Sequence, residues 1–292
     1  MKRLIIFIIF LFIALIIIPA VVSAQTSEAG FRGQSMNGST GLFYIPSGRI
    51  GWDDSNFGLD FGYRAVINDV KAAHVPAITA SFMKLIEVSA AFDIQPDLNN
   101  EKNNDDVLLG LKLRVPTNVP IAVGGNFQFL NIGSSQKPED SEMVRGTNHS
   151  YSTVQPYIAI TYPGTLFSMK AETTLMVGKT FYLDSDNNSD VDFGMGFDLV
   201  LFPDVFGEAV HWIIDFANFG YSDNAWPYYS AEFRGILNTG FRIDLSAIPA
   251  FRNFKILLDF VFNDLFDDGN KHKGMQTSGR SFTAGAVFGF KL

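Results

Sequence analysis

Apolar and polar residues alternate one by one from Tyr228 to Ser246. The odd positions read Tyr229, Ala231, Phe233, Gly235, Leu237, Thr239, Phe241, Ile243 and Leu245, and the even ones include Ser230, Glu232, Arg234, Asn238, Arg242, Asp244 and Ser246. A period of two puts successive side chains on opposite faces of a β-strand. Soluble strands usually stop after five or six residues. A longer one, apolar on one face and charged on the other, suits a wall between hydrocarbon and water.

The same alternation starts at Phe57 and keeps returning. It predicts twelve strands: 57–66, 76–84, 86–94, 107–115, 121–130, 153–162, 166–178, 191–202, 209–219, 228–246, 254–262 and 281–292. The apolar faces carry no charge. The other faces carry the acids Asp60, Glu87, Asp93, Glu172, Asp192, Asp198, Asp215, Glu232, Asp244 and Asp259, and the bases Arg64, Lys112, Arg114, Lys170, Arg234, Arg242, Lys255 and Lys291. His211 shares its face with Asp215. If the charged faces turn inward, these residues line a lumen of mixed charge. Gly58, Gly62, Gly110, Gly124, Gly194, Gly196, Gly285 and Gly289 share that face, and such small residues are expected to leave space for passage.

The links have a regularity of their own. Those after the odd-numbered strands are mostly long and polar (67–75, 95–106, 131–152, 179–190, 220–227, 263–280). Those after the even-numbered ones are mostly short (85, 116–120, 163–165, 203–208, 247–253). Long external loops alternating with short periplasmic turns are typical of transmembrane barrels. An even strand count then leaves both termini periplasmic. Tyr162, Trp212, Trp226, Tyr228 and Tyr229 stand near strand ends, where interfacial girdles form. The expected fold is all-β: a closed antiparallel transmembrane β-barrel of about 12 strands over residues 57–292.

Residues 1–24 read as a cleaved secretory signal: Lys2 and Arg3, an apolar run from Leu4 to Ile18, then Val22-Ser23-Ala24. Residues 25–56 are irregular and fit a periplasmic tail, a lumen plug or an extra strand. No later run reaches the length of a spanning helix, so the mature chain can enter a membrane only as a closed barrel.

Charge and composition remove several function classes. The formal charge is −8 with Lys2 and Arg3 included, which disfavours nucleic acid as a partner. The absence of cysteine removes disulfides, thiolate metal sites and a Cys nucleophile. The histidines are His74, His149, His211 and His272, and neither a Gly-x-Ser-x-Gly elbow nor a His-Glu-x-x-His helix occurs. Asp184-x-Asp186-x-Asn188-x-Asp190 has the oxygen spacing of a calcium loop, but Ser189 replaces its glycine and Met195 its bidentate Glu. It reads as a hydrated loop tip. No catalytic residue, metal or cofactor is expected.

Two stretches resemble known families. Gly285, Phe288 and Phe290 resemble the C-terminal signal of outer-membrane barrels, with Leu292 where an aromatic residue is usual. That likeness implies the barrel-assembly machinery as a partner. Gly38–Gly62, through Thr40-Gly-Leu and Ile45-Pro-Ser, resembles the start of the YjbH-like outer-membrane barrels, which accompany exopolysaccharide export.

The expected role is a porin-like passive channel for small hydrophilic solutes, embedded in outer-membrane lipid, with 131–152 or 263–280 as loops able to fold inward. An exopolysaccharide-export accessory barrel is one alternative. A soluble periplasmic lipid-binding barrel with its phenylalanines inside is another. The sequence leaves the oligomeric state open.

Overall fold

The computed structural model describes residues 32–67, 72–94, 105–132, 149–183, 188–219, 235–248, 251, 254–266 and 280–292. Its strands are β1 (Phe57–Ile67), β2 (Ala72–Phe82), β3 (Ile86–Asp93), β4 (Asp106–Val115), β5 (Ile121–Ile132), β6 (His149–Leu166), β7 (Met169–Tyr182), β8 (Asn188–Val200), β9 (Val210–Ala217), β10 (Ile236–Asp244), β11 (Phe254–Asn263) and β12 (Ser281–Lys291). Each pairs antiparallel with its sequence neighbours, and β1 pairs with β12 from Gly58↔Lys291 to Ile67↔Phe282. The result is a closed twelve-stranded barrel with no free sheet edge.

The alternation decides which face is which. On β1, Phe61 and Tyr63 are 46% and 48% exposed, while Asp60 and Arg64 are 2% and 0%. Leu111 on β4, Val123 on β5 and Phe288 on β12 also point outward. A lipid-binding barrel with phenylalanines inside is therefore overturned: the apolar face surrounds the barrel and the charges are enclosed.

Several boundaries move from where the alternation alone sets them. The tenth strand is shorter than its period suggests. Gly235 has φ +76, and at the far end Leu245–Ala247 turn into a 3-10 helix once the Asp244 side chain accepts from Ser246 N–H. Residues 228–234 lie outside the described residues. β6 runs on through Pro163 to Leu166, so 163–165 is strand rather than link. The links β2–β3 and β6–β7 are tight turns centred on Met83-Lys84 (φ 52, 62) and Phe167-Ser168 (φ 50, 65). Positive φ at both central residues is type I′ geometry, whose twist matches that of the flanking strands. The β8–β9 link holds one helical turn, α1 (Pro203–Phe206).

Candidate functional site

The site is the barrel interior, and residues 32–56 occupy it. Gly33 to Trp52 are all buried. The segment starts near one rim, where Arg32 meets Asp53 at 3.0 Å, climbs to a tip at Phe43–Ile45, and returns to the start of β1. The glycines expected to open a lumen instead receive this segment. A Cβ on Gly58 would meet the Trp52 ring at 2.1 Å, and one on Gly194 would meet Ile45 Cγ1 at 2.8 Å.

Wall charges grip the segment through its backbone. Glu87 accepts from Thr40 N–H (2.8 Å), Thr40 Oγ1 (2.6 Å) and Gly51 N–H (2.8 Å). Across the strand pair Lys112 lies 3.0 Å from Glu87 and donates to the carbonyls of Thr40 (2.6 Å) and Arg49 (3.0 Å). Lys255 bonds Asp60 at 2.6 Å and Gly51 O at 3.1 Å, and Asp60 also accepts from Trp52 Nε1 at 2.8 Å. Asp215 meets backbone donors: Phe43 N–H at 2.8 Å and Tyr44 N–H at 2.7 Å, with Asn238 Nδ2 at 2.7 Å. Arg64 donates to Gln34 O. Buried ions need such partners, because losing water without them is very costly.

The remaining interior charges have their main neighbours in the wall. Arg242 clasps Asp259 through Nε (2.7 Å) and Nη2 (3.1 Å). Asp192 accepts from Gln155 (2.8 Å) and Thr180 (2.6 Å). Asp93 is buried opposite Asp106 on β4. Asp60, Arg64, Glu87, Asp93, Lys112, Glu172, Asp192, Asp198, His211, Asp215, Arg242, Lys255 and Asp259 face the interior, each at most 5% exposed. Among the described residues these side chains are packed between the wall and the inserted segment.

Other candidates lie elsewhere. Arg114 sits beside Asp53 at 3.6 Å, Lys170 pairs with Glu208 at 2.7 Å, and Lys291 with Asp54 at 2.5 Å, all at the rim. Asp244 caps the 3-10 turn there. Glu232 and Arg234 lie outside the described residues, as do Trp226, Tyr228, Tyr229, His272 and most of the calcium-like loop. Of the C-terminal residues, Gly285 faces Arg64, Phe288 stacks outside on Phe254 at 5.7 Å, and Leu292 is exposed.

His211 finds its carboxylate across the sheet, not along its own strand. Nδ1 lies 2.6 Å from Asp198 on β8, and Nε2 3.0 Å from Glu208 O. Both ring nitrogens face oxygen acceptors inside a packed wall, so the pair braces β8 against β9.

Apolar residues sit among these charges on the loop side of the interior. Met36, Phe43 and Ile45 join Val75, Leu108, Met176, Ile236 and Val261 in one buried cluster. The tip of the inserted segment thus closes a hydrophobic collar, a form of constriction that excludes water and ions.

No family model and no curated protein matches this chain, so the likeness of Gly38–Gly62 to YjbH-like proteins rests on those residues alone. Among solved structures the chain is similar to a KdgM porin: 8% identity over 80% of this chain and 99% of that one, TM-score 0.44. It is also similar to the outer membrane protein Omp33 of Acinetobacter baumannii, with 11% identity over 82% and 98% and TM-score 0.41. LpxR from Salmonella typhimurium is similar at 9% identity over 80% and 100%, with TM-score 0.39. The closed antiparallel barrel itself is established by its own strand pairing.

Proposed function

We propose that this chain is a porin-like outer-membrane barrel for small hydrophilic solutes whose opening is controlled by residues 32–56. The largely apolar outer face suits lipid, and the long loops lie outside with the short turns and both termini in the periplasm. Residues 1–24 direct the chain across the inner membrane and are then cleaved. Gly285, Phe288, Phe290 and Leu292 present the last strand to the assembly machinery.

The observation that carries the reading is how the inserted segment is held. It is fastened by hydrogen bonds and ion pairs to Glu87, Lys112, Glu172, Asp215 and Lys255, with its apolar tip in the collar. Water can take over each of these polar contacts once the segment has left the lumen. Displacing the segment exposes a channel lined by both charge signs, which selects by size and charge.

A reversible lock tests this. Ile45→Cys with Gly194→Cys places two thiols across the segment–wall contact in a chain that has no other cysteine. The oxidised protein is expected to show no single-channel steps in planar bilayers, and reduction is expected to restore them. Silence from folded protein in both states, and from Arg49→Ala, would end the channel reading.

A further inference from the structure

The short links carry bulky apolar side chains at their tips. Met83 is 70% exposed, Phe167 81%, Phe202 65% and Val205 72%. Turns ordinarily use Gly, Asn, Asp or Ser, which solvate well and accept unusual backbone angles. Here the backbone makes the anomaly sharper. Met83, Phe167 and Phe202 have φ 52, 50 and 48. That left-handed region suits glycine and is an outlier for a large side chain. The hairpin calls for the backbone angle at Met83 and Phe167 but not for a bulky apolar side chain at it, and strained residues of this kind cluster where a surface has a task.

We propose that these tips seat in the phospholipid leaflet on the periplasmic side, anchoring the barrel's depth. The proposal rests on the reading of the chain as a membrane-spanning barrel. Two features select lipid over a protein partner. First, the tips occur on links β2–β3, β6–β7 and β8–β9, and the β10–β11 link adds the exposed Ile248 and Phe251. A protein docks on a contiguous patch, whereas a leaflet meets the barrel on all sides.

Second, the tips continue the lipid-facing wall. At this end the outward face stays apolar to the last residues of the strands, as at Phe82, Ile86, Val115, Ile121, Met169 and Phe254. At the opposite end it is also largely apolar, as at Ile67, Ile94, Val191 and Phe262, with His74 bonded to Tyr63 and Lys179 beside Phe181 among them. On the turn side the apolar outward face runs from the mid-wall down to these tips. Hydrocarbon there reaches the turns, and amphipathic or apolar tips take up the interface.

The absence of cysteine makes a site-specific test direct. Four single variants of the full chain, Met83→Cys, Phe167→Cys, Leu111→Cys and Asn118→Cys, carry a nitroxide label in phosphatidylethanolamine–phosphatidylglycerol vesicles. Leu111 is mid-wall, and Asn118 lies exposed in the polar β4–β5 turn, where it controls for the label's own affinity for lipid. Collision with lipid-soluble oxygen is compared with collision with an aqueous nickel chelate present on both sides. The expected order of the oxygen-to-chelate ratio is Leu111 highest, the two tips well above Asn118, and Asn118 lowest. Tips that match Asn118 while Leu111 stays in lipid would overturn the proposal and leave the barrel reading intact. Tips shielded from both reagents would mean burial against protein and would also overturn it. A Leu111 label open to the chelate would remove the membrane-spanning reading and the proposal with it.

Discussion

Arg49 of the inserted segment and Glu172 of β7 form an ion pair, with Nε 2.8 and 3.0 Å from the two carboxylate oxygens. Glu172 stands directly opposite Asp198 on β8, so the bare wall sets two acids side by side. Like charges opposed across strands repel. His211 and Arg242 attend Asp198, and Arg49 attends Glu172. The segment therefore completes the wall's charge balance as well as filling its space.

Arg49→Ala accordingly leaves Glu172 buried without its guanidinium. Removing one partner of a buried pair typically costs ~3–5 kcal/mol. The variant is expected to unfold at lower urea in detergent, read by the gel shift between folded and unfolded barrel. Arg49→Ala with Glu172→Gln is expected to recover much of that loss, because no uncompensated charge remains.

Packing between Ile45 and Gly194 gives a second test. A methyl added at Gly194 falls 2.8 Å from Ile45 Cγ1. Overpacking of this kind costs about 1–3 kcal/mol. Gly194→Ala is expected to destabilise the native chain by that order and to cost clearly less in an Ile45→Ala background, where there is room. Additive losses in the double-mutant cycle would show that the two sites do not touch.

The wall was legible in the sequence because each strand meets two different media. Parity puts Phe61 and Arg64 on opposite faces, and closure follows because lipid cannot satisfy an open sheet edge. The interior was not legible. The segment's contacts join Thr40 to Glu87 and Tyr44 to Asp215, far apart in the chain, and an irregular segment has no period to reveal its partners. His211 is too far from Asp215 along its own strand to pair with it, and the cross-strand register that brings it to Asp198 is invisible in one sequence. The turns at Met83-Lys84 and Phe167-Ser168 lack the Asn-Gly signal of type I′ geometry. One clue is present in the sequence: inward glycines such as Gly58 and Gly194 read as space for solute, and in the structure they seat Trp52 and Ile45.

That missing turn signal leads to a gain of stability. Lys84 has φ 62 in the second central position of its turn, where glycine is preferred. A left-handed conformation costs an ordinary L-residue about 1–2 kcal/mol, partly offset by the extra freedom glycine brings to the unfolded chain. Lys84→Gly is expected to raise stability by roughly 0.5–1 kcal/mol, read as a later urea midpoint with an unchanged slope.

The rim contact between Asp54 and Lys291 should show in acid. Burial of Asp54 raises its pKa, but the hydrogen bond from Lys291 and the charges of Arg32 and Lys291 outweigh it and hold the carboxyl below the usual carboxylate range. A pKa lower in the folded state means the unfolded chain takes up the proton first. The contact therefore stabilises fully above the ordinary value near 3.8 and is lost as the pH falls through the lower folded value. Asp54 is largely exposed, so the effect is small and salt-sensitive. Asp54→Asn is expected to unfold slightly earlier than the native chain at pH 6, and the two are expected to converge as the pH drops well below 3.8. Midpoints of urea unfolding at low and high salt across that range measure the difference, and a gap that persists in strong acid would assign it to something other than this ion pair.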